Sequence, residues 1–232
     1  RYYLPVGEHN ADGLIVFGNG LEPEELRRFL AHRFPLVLLH SQPPAGLVVP
    51  TIAFANESGA RAMIDHLASC GHRRIAFLRG PTGNADAAQR EQGFRAGMAA
   101  HGLAIDPSLI ADGGFDAECA AAAVTKWLAQ DIEMDAIFAA DDTSARGAIF
   151  ALQRAGQRVP ADVAVVGFDD DRLARFMTPS LTTVRAPIET AGRIAAELLL
   201  QQIDAGREDV TVPALTLLPA ELVVRQSCGW RE

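Results

Sequence analysis

Residues Asp135 to Pro187 read DAIFAADDTSARGAIFALQRAGQRVPADVAVVGFDDDRLARFMTPSLTTVRAP. Two short apolar runs, Ala136 to Ala139 and Val163 to Val166, have strand character, and each gives way at once to acid, Asp141-Asp142 and Asp169-Asp170-Asp171. A strand of a parallel sheet is buried on both faces and so reads as an unbroken apolar run, and open α/β sheets bind ligands beyond the carboxyl ends of such strands. Two acidic strand ends in succession therefore predict a polar pocket. Between them, residues 143–155 carry a helical pattern that Gly156 stops.

The same alternation runs outward in both directions. Upstream, Gly13 to Phe17, Pro35 to Leu39, Val48 to Phe54 and Arg74 to Leu78 read as extended, with a helix expected from Glu22 to His32. A second helix is expected from Asn56 to Ser69, with Asn56 as its cap and Ala60, Met63, Ile64 and Leu67 on one face. Helices from about Ala87 to His101 and from Ala117 to Ala129 flank a short strand at Leu109 to Ala111. Downstream, Leu181 to Arg185 is extended, Ile188 to Ile203 is a long helix, and Val210 to Val224 carries β-type runs broken by Pro213 and Pro219. Strands alternating with helices are the signature of βαβ units and an α/β fold built on parallel sheets.

Composition narrows the function. A chain of 232 residues with 49% hydrophobic content holds one large or two modest domains, and no apolar run approaches a membrane span. The net charge of −8 argues against this segment itself gripping a phosphate backbone, which needs a clustered basic face, so DNA contact is expected to come from residues outside it. Arg1 to Gly7 shows no signal-peptide pattern, and Cys70, Cys119 and Cys228 are scattered and odd in number, so a reducing, cytoplasmic setting is expected. His66 and His72 lack a third metal-type ligand nearby, and no metal site is expected. Gly80-Pro81-Thr82-Gly83 lacks the Lys-Ser/Thr of a phosphate loop, Gly18-Asn19-Gly20 lacks the third glycine of a dinucleotide fingerprint, and no G-x-S-x-G elbow appears. Neither a cofactor nor a catalytic residue is expected.

Seven blocks in order, ADGLIVFG from Ala11, ANESGARAMIDHLASCGHRRIAFLRGP from Ala55, QREQGF from Gln89, FAADDTSARGAIFAL from Phe138, RVPADVAVVGFDD from Arg158, TPSLTTVRAP from Thr178 and ELVVRQS from Glu221, cover essentially the whole chain. Together they resemble the effector-binding core of the LacI/GalR family of bacterial transcription regulators. The resemblance implies a periplasmic-binding-protein type I fold: two doubly wound parallel-sheet lobes joined by three crossovers, with a small-molecule effector in the cleft between them. One lobe would hold residues 1–55 and 188–216, the other 56–187 and 217–232. It further implies that the first two βα units of the first lobe and the helix-turn-helix headpiece lie outside this sequence, leaving that lobe incomplete at its amino end. The implied partners are a sugar or similar polar metabolite, operator DNA through the absent headpiece, and a second copy of the chain in a homodimer, with no membrane contact.

By the same resemblance, Arg90 in QREQGF is the guanidinium that clamps ligand oxygens, and Phe115 is the aromatic plate. Asp141 and Asp169 take hydroxyl hydrogen bonds, and Phe17 and His40 contact the effector from the other lobe. Such a set suits a polyhydroxylated ring, which needs a bidentate donor, carboxylate or amide acceptors and an apolar plate. Two positions depart from the family pattern: Asp141 stands where many relatives carry Asn, and His40 where an Asp is common. The extra carboxylate favours a neutral or partly cationic ligand over an acidic one. Plainer roles stay open beside these, since Asp141 and Asp169 are also suited to cap helices, Arg90 to lie on a surface, and Phe115 to belong to the core. Asp142 and Asp170 read as structural hydrogen bonders. A periplasmic sugar receptor of similar fold is the alternative to a regulator, and an enzyme is a third.

Overall fold

In a computed structural model, residues 10–17, 20–40, 43, 45–206 and 212–229 are described. The first elements are β1 (Leu14–Phe17), α1 (Pro23–Ala31), β2 (Leu36–Leu39), β3 (Thr51–Phe54), α2 (Asn56–Ser69), β4 (Ile75–Arg79) and α3 (Ala85–Ala100). After these come β5 (Ile110–Asp112), α4 (Ala117–Ala129), β6 (Ala136–Ala139), α5 (Asp142–Arg154), β7 (Ala164–Val166), β8 (Thr183–Arg185), α6 (Ile188–Ala205), β9 (Leu215–Leu218) and β10 (Glu221–Val223). Gly18 and Asn19 of the glycine loop, and Val210 at the head of the expected tail strands, lie outside the described residues. The chain divides into two compact units, Arg1–Phe54 with Pro187–Leu218, and Ala55–Ala186 with Pro219–Glu232.

In the first unit the sheet order is β1-β2-β3-β9, with every pair parallel. Pro23 opens α1 where its missing N–H costs nothing, and Glu25 turns back to accept from the Glu22 amide at 3.0 Å. Leu26 of α1 packs with Val16, Leu36 and Leu38 into one core. Helix α6 packs on β2, where the Gln202 amide donates to Leu36 O at 3.2 Å and accepts from Leu36 N at 3.1 Å.

In the second unit the sheet order is β5-β4-β6-β7, again all parallel. The strands read as unbroken apolar runs because both faces are covered. Alternate residues split between them: Ala76, Leu78, Ile137 and Ala139 join Ala120, Val124 and Trp127 of α4 and Leu152 of α5. On the other face Phe77 stacks on Phe94 of α3 at 4.6 Å and meets Phe138 edge-on at 5.4 Å, all three fully buried. Truncating any one of these rings costs about 3–5 kcal/mol. Leaving β4, the chain goes first to β5 on one side and then to β6 on the other, so the strand order reverses beside β4. A ligand crevice is expected outside the carboxyl ends there.

One detail differs from the sequence reading. The cap of α2 is Ala55, not Asn56, which is the first helical residue and sends its side chain elsewhere. The segment from Leu181 is extended: its strand β8 pairs antiparallel with β10, and parallel bridges join Thr182 to Val166 and Arg185 to Asp169. The tail divides after Leu218, β9 going to the first unit and β10 to the second.

Candidate functional site

Four strand ends of the second unit build the site. Beyond β4 comes Gly80, beyond β5 Gly113, Gly114 and Phe115, beyond β6 Ala140 and Asp141, and beyond β7 Asp169. Arg90, in the second turn of α3, is fixed among them, with its side chain only 4% exposed. Its Nε donates to Asn56 Oδ1 at 3.0 Å, Nη1 to Ala140 O at 2.7 Å and Nη2 to Asp169 Oδ1 at 2.7 Å. Three of the five guanidinium N–H groups are thereby used, leaving two for a ligand oxygen. The guanidinium also lies 3.9 Å from the Phe168 ring centroid and 5.6 Å from that of Phe115, a cation–π arrangement from both.

Asn56 holds the arrangement in place. Its Nδ2 donates to Asp86 Oδ1 at 2.9 Å and to Gln89 Oε1 at 3.2 Å, which forces its oxygen toward Arg90. Sequence reasoning missed Asn56, Asp86, Gln89 and Phe168 as members of this network. The available signal was chemical rather than positional: Asn56 and Asp86 are polar residues buried at the first turns of α2 and α3.

Phe115 is half-buried, and its backbone is left-handed at φ 58°. Its ring rests against Gly80, where a Cβ would stand 2.5 Å from the ring. Asp169 has φ 107° and Asp170 φ 55°, conformations that cost a non-glycine residue on the order of 1–3 kcal/mol. Such strain collects at ligand clamps, and Asp169 is one of the residues expected from the sequence to touch the effector.

The four carboxylates have separate roles. Asp141 accepts from the Thr143 and Ser144 amides at 3.1 and 3.0 Å and so caps α5. Asp142 is buried and accepts from Thr183 Oγ1 at 2.6 Å and from Asp171 N at 2.8 Å. Burial outweighs those two donors, and with the carboxylates of Asp169 and Asp171 nearby its carboxyl is pushed up to about 8. Asp170 accepts from Arg185 Nε at 2.8 Å and Arg225 Nη2 at 2.6 Å; burial opposes its ionisation, but the two arginines win and hold it below the usual carboxylate range. Asp169 is the carboxylate that pairs with Arg90.

In the first unit, Phe17 ends β1 and His40 follows β2. The Phe17 ring lies 4.6 Å from His40, which in turn lies 4.4 Å from Phe54 at the end of β3. Phe17 is 65% exposed, and His40 has φ 51°. The structure thus brings Arg90, Asp169 and Phe115 together, sets Asp141 at the same sheet edge, and pairs Phe17 with His40 at the carboxyl edge of the other sheet. Among the described residues no group of three or more His, Cys, Asp or Glu could hold a metal ion, and no helix is long and apolar enough to cross a membrane.

A family model described as a periplasmic binding protein-like domain matches residues 64–228. The chain is 35% identical over 221 residues to the HTH-type transcriptional regulator GalS of Salmonella typhimurium, covering 95% of this chain and 64% of that protein. A solved regulator of the LacI family from Sanguibacter keddieii superposes with a TM-score of 0.81 at 34% identity, over 94% of this chain and 78% of that one. The transcriptional regulator CelR in complex with cellobiose superposes with a TM-score of 0.83 at 32% identity, over 95% and 67%. These relatives are transcriptional regulators. With its two parallel-sheet units and this agreement in sequence and structure, the chain belongs to the LacI/GalR family of transcriptional regulators, of which it carries the periplasmic-binding-protein-like core.

Proposed function

We propose that this chain is the effector-sensing core of a cytoplasmic transcription regulator, and that its effector is a small neutral or partly cationic polyhydroxylated molecule, a carbohydrate in the first instance. The observation that carries this reading is Arg90, buried at the strand-order reversal with two N–H groups uncommitted and Phe115 beside it. Arg90 and Asp169 would present a donor and an acceptor to adjacent hydroxyls, Phe115 would cover the apolar face of the ring, and Asp141 would add an acceptor at the start of α5. Phe17 and His40 are proposed as effector contacts from the first unit. The cellobiose-bound relative supports the carbohydrate class. Contact with operator DNA is assigned to a helix-turn-helix headpiece outside this acidic segment, in keeping with the net charge of −8.

An effector shifts such a regulator only by binding one conformation more tightly than another, and in a dimer that preference would change the fit of two headpieces to paired half-sites. A homodimer is supported by exposed apolar side chains on one face of the second unit: Phe150 on α5, and Leu173 and Phe176 in the segment that Arg146–Asp171 and Gln153–Thr178 bonds hold against α5. A thermal-shift screen with monosaccharides, disaccharides, polyols, sugar acids and nucleosides tests the reading. A neutral sugar or polyol should raise the unfolding temperature in a saturable way. A preference for sugar acids, or stabilisation by nucleosides alone, would refute the carbohydrate assignment.

A further inference from the structure

Away from this site, two thiols and an imidazole meet where the carboxyl-terminal segment passes the end of α2. Cys70 is the residue at which α2 stops, and Cys228 lies fully buried in the turn after β10. His66 Nε2 is 3.3 Å from Cys228 Sγ and 3.6 Å from Cys70 Sγ, so one nitrogen adjoins both sulfurs. The turn itself is anchored: His72 Nε2 donates to Cys228 O at 3.1 Å, and Ser227 Oγ accepts from Thr182 N at 2.9 Å while donating to Val165 O. Cys119, in contrast, is exposed on α4.

We propose that Cys70 and Cys228 are an oxidation site, closing to a disulfide when the chain meets hydrogen peroxide, with His66 as the proton acceptor. Cys70 is the partly exposed thiol and meets the oxidant first. Its proton passes to His66 Nε2, its sulfur attacks one peroxide oxygen, and the O–O bond breaks; the departing hydroxide takes the proton and leaves as water. Cys228 then attacks the Cys70 sulfenic acid, its proton joins the leaving hydroxide, and a second water departs. Two thiols have lost two electrons and one hydrogen peroxide has gained them.

The local chemistry fits a slow, persistent modification. Burial, and then the nearby His72, hold His66 below its ordinary value, so at neutral pH the ring has a lone pair to offer. Burial and the Cys228 thiol hold Cys70 above the usual thiol range, so the attack depends on transfer to His66 rather than on a standing thiolate. A thiol that ionises reluctantly, as Cys70 does, is also a poor leaving group, which slows reopening of the disulfide at that sulfur. The bond would fasten the tail that carries Arg225 and Ser227 to the end of α2, closing most of the second unit into one loop.

The test is peroxide treatment of the reduced, folded chain, followed by alkylation and peptide mass mapping without reductant. The expected result is a linked Cys70–Cys228 peptide with Cys119 outside any intramolecular link, and a rise in unfolding temperature that dithiothreitol reverses. His66→Gln should slow linkage at least tenfold while the reaction of Cys119 with an alkylating agent is unchanged. If Cys70 and Cys228 both remain alkylatable after prolonged treatment, or if Cys70 links to Cys119 instead, the proposal fails. The mapping on the unsubstituted chain decides this even if the variant does not fold.

Discussion

Replacing Asp142 by Asn should stabilise the chain, and by an amount that grows with pH. The residue is 1% exposed and, mainly through burial, its carboxyl is raised from 3.8 to about 8. The folded state therefore holds this proton more tightly than the unfolded state. The contribution is fully present below the unfolded value and is lost as pH rises through the folded one, at about 1.4 kcal/mol per pH unit and on the order of 5 kcal/mol in all. An amide at this position cannot ionise, so the Asp142→Asn variant escapes the loss. The amide also fits: its oxygen can accept from Asp171 N while its NH2 donates to Thr183 Oγ1, since a hydroxyl rotates to accept as readily as it donates. Urea unfolding of both proteins at pH 4, 5, 6, 7 and 8 gives the difference directly, with contributions from titrating groups that do not couple to Asp142 cancelling. The variant should match the parent near pH 4 and exceed it by roughly 3 kcal/mol at pH 6. A difference that does not change with pH would mean that Asp142 is ionised in the folded chain, and the assignment of the four carboxylates would be wrong.

Three further outcomes follow from the same geometry. Asn56→Ala strands the buried Arg90 Nε donor and removes one bond each from Asp86 and Gln89, and should cost about 1–3 kcal/mol in urea unfolding. Gly80→Ala drives a methyl group into the Phe115 ring, so it should cost about 1–3 kcal/mol and weaken effector binding in calorimetry while the circular dichroism spectrum holds. His72 is raised above 6.5, chiefly by the Asp135 carboxylate 3.6 Å from its Nδ1, so its stabilisation is complete below that value and fades as pH rises through the folded one. An imidazole resonance titrating above 6.5, and moving down in Asp135→Asn, would show it.

The order of strands and helices was legible because parallel strands buried on both faces leave unbroken apolar runs, as Ala136 to Ala139 and Ala164 to Val166 do. The acidic ends of those strands were legible for the same reason. Which acid does what was not, because it depends on partners far along the chain: Asp169 is answered by Arg90 at a separation of 79 residues and Asp170 by Arg225 at 55. Asn56 shows the limit of local rules. An Asn before a helical run reads as a cap, but a buried guanidinium needed an acceptor, and that demand outweighed the cap preference. The left-handed backbones of His40, Phe115 and Asp170 had no glycine to announce them. Residue types therefore marked the site's chemistry, while the fold alone revealed how Arg90 is held.

The most direct test of the central claim is calorimetric titration of the Phe115→Ala chain with the sugar or polyol that stabilises the parent. Phe115 is half-buried at a strand end, so its loss should leave the core standing. If the effector sits against Arg90 with this ring as its plate, affinity should fall about tenfold or more, near 1.4 kcal/mol. Parent-like affinity in the folded variant would place the effector elsewhere.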